Sequence, residues 1–228
     1  MINPNDVEAK GIFGRKTPIF EKILDEINSR KRKNKAFVVG ITGIDCSGKT
    51  KFAESLEQFL IVRNYGTQLI SLDDFHNPRV YRYSGEDQIE NYYNKSFDID
   101  TVIKKLLIPL NQKGIFSTRL TVLDWKTDKY EIEKEFSFHQ DTIVIFEGVF
   151  LFRKELSPYI DYKILIDIPF EESLSRAKAR DSKAVLKKYD EKYLPAQKRY
   201  LDEYPPLKTA DIIIDNSNWE YPKVKSFC

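Results

Sequence analysis

The chain has 228 residues, 41% of them hydrophobic and 32% charged, and its 37 Lys and Arg nearly balance 35 Asp and Glu, for a formal net charge of +2. This composition fits one large globular domain, excludes a disordered chain, and lacks the basic excess of a dedicated nucleic-acid binder. No apolar run reaches the roughly 20 residues of a membrane span, and the two cysteines lie far apart, so we expect a cytoplasmic protein that binds neither nucleic acid nor membranes.

The first predicted elements are a helix and a buried strand. Residues 17–33 carry a proline in the first turn and apolar residues at helical spacing, so residues 1–35 are interpreted as an N-terminal helical extension. The basic run at residues 30–35 is interpreted as the solvated end of this helix. The short apolar run at residues 36–41 predicts a strand that is buried on both faces.

A phosphate-binding loop follows this strand. The pattern G-x-x-x-x-G-K-[ST] is matched throughout by Gly43, Ile44, Asp45, Cys46, Ser47, Gly48, Lys49 and Thr50. An amphipathic helix predicted over residues 50–64 completes the strand–loop–helix context that the motif requires. Glycines let backbone N–H groups surround phosphate oxygens, Lys49 places its charge on the β- and γ-phosphates, and Thr50 offers a hydroxyl to Mg²⁺. These eight residues are predicted to bind ATP, although the sequence leaves GTP open as the donor.

The next predicted strand, residues 67–72, ends in the acidic pair Asp73 and Asp74, followed by Phe75 and His76. Ligands bind at the carboxyl edge of parallel sheets. A carboxylate at that edge can accept a proton from an attacking hydroxyl or hold a metal ion. His76 is a further candidate for contact with the acceptor, and the alternative is that both aspartates only cap a turn.

The second half of the chain continues the alternation of strands and helices. Residues 76–140 are less regular, with one helix predicted at 100–110, and are interpreted as an inserted substrate-binding module. A strand at 142–146 ends in Glu147, an arrangement typical of a magnesium contact beside a P-loop. Strands at 163–168 and 210–214 flank a helix predicted over 171–189. This alternation predicts an α/β fold with a mainly parallel sheet.

Five segments in this order resemble the uridine kinase/phosphoribulokinase family of P-loop small-molecule kinases. They are residues 40–50, 73–76, 144–150, 174–181 and 210–214. The resemblance spans residues 36–215 and implies a three-layer P-loop NTPase fold, with a kinase domain over residues 36–228 and a helical lid over residues 171–195. It also implies an ATP- and Mg²⁺-dependent kinase whose first candidate acceptor is the 5′-hydroxyl of uridine or cytidine.

The resemblance implies roles for individual residues. Asp73 matches the general base for the acceptor hydroxyl, and Asp74 assists with position or metal. Glu147 matches the acidic residue near Mg²⁺, beside the Thr50 hydroxyl. The lid segment brings arginines onto the transferring group, and the matching arginines are Arg176 and Arg180.

The sequence also departs from the family pattern, mainly where the acceptor binds. Phe97-Asp98-Ile99-Asp100 stands where uridine–cytidine kinases usually have Phe-Asp-His-Pro, and an aspartate here can instead cap a helix. Leu123-Asp124-Trp125 replaces the base-contacting stretch, so Trp125 either stacks on a planar base or belongs to the core. The lid element Arg-Gly-Arg is missing after Asp181.

These departures leave several alternatives open. If the protein is a kinase, its acceptor can instead be pantothenate, a sugar phosphate or another nucleoside. If it is not an enzyme, the alternative is a regulatory module that binds nucleotides without catalysis. A GTPase is disfavoured because Asn94-Lys95-Ser96-Phe97-Asp98 has its aspartate one residue too late for the guanine-selective motif. Homo-oligomerisation is left open.

Overall fold

The computed structural model describes residues 13–32 and 35–227. The predicted N-terminal extension is therefore described from residue 13 onward, and Lys33 and Asn34 of the basic run lie outside the described residues. Within these residues no helix is both long enough and apolar enough to cross a membrane.

A six-stranded sheet forms the centre of the molecule, in the order β2–β5–β1–β6–β7–β8. The first five strands in this order pair in parallel and β8 joins the β7 edge antiparallel. The strands are β1 (Phe37–Thr42), β2 (Thr67–Ser71), β5 (Ile143–Glu147), β6 (Tyr162–Asp167), β7 (Ile212–Asp215) and β8 (Lys223–Phe227). The predicted α/β fold with a mainly parallel sheet is confirmed, and β8 is an addition that the sequence interpretation did not contain.

Helices cover both faces of this sheet, and every residue of β1 is therefore buried. Phe37, Val39 and Ile41 contribute to the core on one face, together with the helices on either side of β1. Val38 contributes to the core on the other face, together with the segment inserted between β2 and β5. Alternate residues of a strand point to opposite faces, so an unbroken apolar run is what a sheet between two helical layers requires.

The two helices beside β1 are α1 (Thr17–Arg30) and α2 (Lys49–Val62). The apolar stripe of α1 is buried in the same core as α2, and the Phe20 ring meets the Phe52 ring edge-on at 5.2 Å. α1 ends three residues before the predicted end, because Lys31 adopts an extended conformation. The helix is thus part of the core of the domain.

The inserted segment between β2 and β5 contains the helix predicted at residues 100–110, together with other helices and a β-hairpin that the sequence interpretation did not predict. Its elements are a short helix (Arg79–Arg82), α3 (Gln88–Lys95), α4 (three consecutive segments, Ile99–Val102, Ile103–Leu107 with π geometry, and Ile108–Lys113), β3 (Phe116–Asp124) and β4 (Lys129–Phe138). Asp98 caps α4 by accepting a hydrogen bond from the Thr101 N–H at 3.0 Å. Strands β3 and β4 pair antiparallel.

The single helix predicted over residues 171–189 is wrong, because the chain breaks there. α5 (Phe170–Arg180) is followed by α6 (Lys183–Lys188), a π-helical turn (Tyr189–Tyr193) and α7 (Leu194–Glu203). Asp181 and Ser182 are extended, with ψ angles of 155° and 158°. This break folds the later helices back toward the phosphate-binding loop.

Candidate active site

The phosphate-binding loop lies between the carboxyl end of β1 and the amino end of α2, as predicted. Gly48 has a φ of +89°, and a Cβ there would lie 2.7 Å from the Asn216 amide nitrogen. A Cβ on Gly43 would lie 2.5 Å from the Ile166 carbonyl oxygen. Both positions therefore need glycine, and α2 directs its positive end at the loop, which suits an anionic ligand.

Glu147 and the P-loop hydroxyl meet at the end of β5. Glu147 is buried, and its Oε2 accepts a hydrogen bond from the Thr50 hydroxyl at 3.3 Å. Its Oε1 accepts another from the Ser71 hydroxyl at 2.5 Å. Burial raises the pKa of Glu147, and the opposite charge of buried Lys49 counteracts part of that effect. The predicted residues Lys49, Thr50 and Glu147 are therefore brought together.

These oxygens fit a magnesium ion. Mg²⁺ prefers hard oxygen ligands and usually keeps several waters or phosphate oxygens, so it needs only one or two side chains from the protein. A hydroxyl and a carboxylate, from Thr50 and Glu147, supply that small set. The part of the chain that the structure describes has no cluster of three or more His, Cys, Asp or Glu side chains suited to a metal. A magnesium ion held here would thus be shared with nucleotide phosphates.

Asp73 lies in the 3₁₀ turn Leu72–Phe75, directly after β2, and is exposed. Because Ser71 of β2 pairs with Glu147 of β5 in the sheet, Asp73 reaches the same edge as the P-loop. Its negative charge raises the pKa of Asp45, an effect secondary to burial, and also contributes to the raised pKa of Glu147. The predicted base is therefore near the phosphate-binding residues.

The other predicted acceptor residues contact the inserted segment or lie within it. Asp74 forms an ion pair with Lys134 of β4 at 2.5 Å. The Nδ1 of His76 bonds to the Asp73 carbonyl oxygen at 2.7 Å, and burial lowers the pKa of the His76 ring. Trp125 lies at the tip of the β3–β4 hairpin with 66% of its surface exposed, so the core alternative for this residue is wrong.

Asp45 connects the P-loop to helices on two sides. The Gln197 side-chain amide of α7 donates to Asp45 Oδ2 at 2.8 Å and accepts from the Asp45 N–H at 2.9 Å. Ser173 of α5 donates to the Asp45 carbonyl oxygen at 2.7 Å, and the Tyr92 hydroxyl of α3 lies 3.5 Å from Oδ2. Burial raises the pKa of Asp45. Sequence reasoning missed Gln197 and Tyr92, since neither lies in a motif.

Arg176 contacts the backbone of the P-loop and of the segment that follows β7. Its guanidinium donates to the carbonyl oxygens of Cys46 at 3.2 Å, Asn216 at 2.7 Å and Ser217 at 2.9 Å. Its Nε also pairs with Glu172 at 2.8 Å. Arg176 therefore links the P-loop to the segment after β7.

Arg180 lies one turn further along α5. Its guanidinium makes two hydrogen bonds to Asp181, at 2.8 and 2.9 Å, and a third to the Tyr189 hydroxyl at 3.2 Å. That hydroxyl also lies 3.2 Å from the Cys46 sulfur of the P-loop. Arg180 is thus near the phosphate-binding loop, in contact with the helices that follow it.

A cavity of about 470 Å³ opens beside the P-loop and has a size suited to a nucleotide. Its walls include Cys46, Gly48, Phe52, Arg176, Arg180, Asn216 and Trp219. Asn216 is buried and donates to the Ser47 carbonyl oxygen at 2.7 Å, whereas Trp219 is largely exposed. Sequence reasoning missed both residues, and the signal that could have found them is their position just after a strand that ends at the ligand edge of the sheet.

Comparison with known proteins agrees with this architecture. Residues 38–219 match the model of the phosphoribulokinase/uridine kinase family. The chain is 27% identical over 202 residues to uridine-cytidine kinase B of Dictyostelium discoideum, covering 83% of this chain and 78% of the relative. It is 29% identical over 147 residues to nicotinamide riboside kinase 1 of Homo sapiens, covering 64% and 66%. A solved structure described as a possible uridine kinase from Bacillus stearothermophilus superposes with a TM-score of 0.70 at 24% identity, covering 87% of this chain and 98% of that one.

Proposed function

The chain belongs to the phosphoribulokinase/uridine kinase family of P-loop phosphotransferases, and we propose that it transfers the γ-phosphoryl group of ATP to a hydroxyl of a small molecule. The first candidate acceptor is the 5′-hydroxyl of uridine or cytidine, since uridine-cytidine kinase B of Dictyostelium discoideum is similar over most of its length. The relative named for nicotinamide riboside supports a riboside more generally.

The observation that carries this proposal is the meeting of three groups at one edge of the sheet. β2 leads into the turn that carries Asp73, β5 ends at Glu147, and β1 leads through the P-loop to Lys49. A phosphoryl transfer needs a cation on the phosphates, oxygen ligands for a metal, and a carboxylate at the attacking hydroxyl. The edge supplies all three.

In the proposed reaction the acceptor hydroxyl attacks the γ-phosphorus while the bond from that phosphorus to the β–γ bridging oxygen breaks. The hydroxyl proton passes to the Asp73 carboxylate, and ADP leaves with the bridging oxygen. Lys49 and the N–H groups of the P-loop stabilise the negative charge of the phosphates. Thr50 and Glu147 are the residues that would hold Mg²⁺, which when bound supplies further neutralisation of the β- and γ-phosphates.

The lid arginines take different roles in this proposal. Arg180 stabilises charge on the transferring group, because exchange of its Asp181 partner for a phosphate needs only a side-chain movement. Arg176 is a positioning residue, because its contacts hold the backbone on both sides of the nucleotide cavity. Residues 171–195 are then the lid, and residues 76–140 the module that binds the acceptor beside Asp73, with Asp74, His76 and Trp125 as its first candidate contacts.

Release of ADP from Mg·ATP tests the proposal against a panel of acceptors. The panel comprises uridine, cytidine, nicotinamide riboside, pantothenate and ribose 5-phosphate. We expect acceptor-dependent ADP release with a member of this panel and a background without acceptor that is at least tenfold lower. Measurable ATP binding with no acceptor-dependent release would contradict the kinase and favour a regulatory nucleotide-binding module.

A second candidate function is a kinase whose phosphoryl acceptor is an alcohol with a negative charge, such as pantothenate or a sugar phosphate. A buried lysine favours it, namely Lys192, which lines a cavity between the inserted segment and the lid together with His76.

A further inference from the structure

A small cavity lies between the inserted segment and the helices that follow β6. Its volume is about 40 Å³, and its walls include Arg82, Tyr83 and Tyr92 of the insert together with Lys192 and Tyr193 of the π-helical turn. A space of about 10–15 Å³ on this measure holds one water molecule, so the cavity has room for a group of carboxylate or phosphate size.

Lys192 is a buried cation in the wall of this cavity, with only 7% of its surface exposed. Its ammonium lies 4.3 Å from the Tyr83 ring centroid and 5.1 Å from that of Tyr193. Within the described residues no carboxylate forms an ion pair with it. Burial lowers the pKa of Lys192, the Tyr83 phenol opposes that effect through its charge and a hydrogen bond, and the cations Lys188 and Arg82 add a smaller lowering. A buried ammonium whose charged neighbours are also cations is costly for folding unless an anion joins it.

The second cation of the cavity, Arg82, also has an unused donor. Among the residues that the structure describes, its buried Nε has no hydrogen-bond partner, and its Nη2 lies 3.5 Å from an Asp128 carboxylate oxygen. Tyr83 lies beside both cations, with the Arg82 guanidinium carbon 5.7 Å and the Lys192 ammonium 4.3 Å from its ring centroid. Burial raises the pKa of Tyr83, but Lys192, Lys188 and Arg82 outweigh that effect and bring it below its usual value.

The cavity adjoins the reacting groups through Tyr92. This ring lines the cavity, and its hydroxyl lies 3.5 Å from Asp45 Oδ2 in the P-loop. His76 also lines the cavity, and its Nδ1 bonds to the Asp73 carbonyl oxygen at 2.7 Å. A molecule with its hydroxyl at Asp73 can therefore place another group in the cavity beside His76.

We propose that this cavity binds an anionic group of the phosphoryl acceptor, a carboxylate or a phosphate, through Lys192 and Arg82. The inference rests on the proposed kinase function and narrows its substrate class to alcohols that carry a negative charge. It favours the anionic members of the acceptor panel, pantothenate and ribose 5-phosphate, over the uncharged nucleosides and the cationic nicotinamide riboside.

Anion binding to the intact chain tests the cavity without any need for turnover. Saturating Mg²⁺ and a non-hydrolysable ATP analogue fill the P-loop, and acetate and inorganic phosphate are then titrated separately by calorimetry, which distinguishes the carboxylate from the phosphate. We expect one of them to bind saturably, and its Kd to rise at least tenfold in Lys192→Met but less than twofold in Lys198→Met, where an exposed lysine of α7 is changed. Lys192→Met removes a buried charge and leaves a side chain of similar length among tyrosines. The urea concentration at the midpoint of its unfolding should therefore be equal to or above that of the parent. Absence of saturable binding by both anions, or equal binding by Lys192→Met, would overturn the proposal.

Matched acceptors separate this inference from the kinase itself. ADP release is compared for pantothenate against its neutral alcohol panthenol, for ribose 5-phosphate against ribose, and for uridine. We expect the charged member of a pair to have a kcat/KM at least tenfold higher than its neutral counterpart, and Lys192→Met to remove that advantage mainly through KM. Efficient turnover of uridine that Lys192→Met leaves unchanged would overturn the charged-acceptor proposal while the kinase function stands. Anion binding that depends on Lys192, without turnover of any acceptor, would support the cavity and contradict the kinase.

Discussion

Replacement of Arg176 by methionine separates a positioning role from direct contact with the transferring phosphoryl group. The change removes three hydrogen bonds from a charged donor to the carbonyl oxygens of Cys46, Asn216 and Ser217. Each such bond contributes on the order of 1–1.5 kcal/mol once the carbonyls are free to rehydrate. With about a fifth of the Arg176 side chain exposed, we expect a loss of about 3 kcal/mol in the free energy of unfolding.

The same change should weaken nucleotide binding, because Arg176 holds both sides of the nucleotide cavity in place. A penalty of about 1.4 kcal/mol corresponds to a tenfold rise in the Kd of ATP. Urea unfolding without nucleotide and calorimetric titration of ATP measure the two effects. Arg119→Met on the exposed face of the hairpin is the matched control, and it should change stability by less than about 0.5 kcal/mol.

The reasoning would be refuted by a variant that unfolds at the parent urea concentration, binds ATP with unchanged Kd, and loses only kcat. That combination would mean that Arg176 leaves the backbone carbonyls and acts on the phosphoryl group during the reaction.

Three further changes test the metal site, the loop and the core. Burial raises the pKa of Glu147 above its ordinary 4.5, so the folded chain keeps this proton to a higher pH than the unfolded chain, and stability should fall as the pH rises through that window. Urea unfolding at pH 5 and pH 8 should show that the free energy of unfolding falls less between these pH values in Glu147→Gln than in the parent. An equal fall in both proteins would contradict the raised pKa of Glu147. Gly48→Ala forces a side chain into a left-handed backbone conformation against Asn216, and should raise the Kd of ATP at least tenfold; unchanged ATP binding would show that the loop can relax. Phe20→Ala should cost about 3–5 kcal/mol of unfolding free energy, because the ring is fully buried against α2. Ile61→Ala, on the exposed side of α2, is the control and should cost less than about 1 kcal/mol. A loss for Phe20→Ala as small as that of the control would mean that α1 is not part of the core.

The features that the sequence predicted well are those encoded over short stretches of chain. The run at residues 36–41 had to be a strand buried on both faces, and the loop that ends in Lys49 and Thr50 carries its own strand–loop–helix signal. The adjacency of Asp73 and Glu147 is different, because it depends on the strand order β2–β5–β1, which no local pattern encodes.

The features that were missed depend on long-range contacts or on a local signal that was not used. The β4 segment Lys129–Phe138 alternates polar and apolar residues, which is a strand pattern that the interpretation of residues 76–140 as less regular did not use. The break after Arg180 depends on extended conformations at two polar residues inside an otherwise helical stretch. Lys192 and Arg82 are more than 100 positions apart, and only the folded chain places both around one cavity.

The role of Arg176 could not be assigned from sequence for a related reason. An arginine in the segment after β6 can reach either the phosphates or the protein backbone, and the choice depends on the position of the chain after β7. Carbonyl oxygens of the folded loops are the partners that the structure provides.

The central claim, that Asp73 is the base of a phosphoryl transfer to a hydroxyl, is tested most directly by following the label of γ-³²P-ATP. The proteins compared are the intact chain, Asp73→Asn, and Asp100→Asn, whose exposed carboxylate pairs with Lys104 along α4. With an acceptor that supports turnover, the parent and Asp100→Asn should move the label to an organic phosphate at equal rates. Asp73→Asn should do so about 10²–10⁴ times more slowly, which is the usual contribution of a general base, while its Kd for ATP stays within twofold. Equal label transfer by Asp73→Asn, or release of the label only as inorganic phosphate by the parent, would contradict the account.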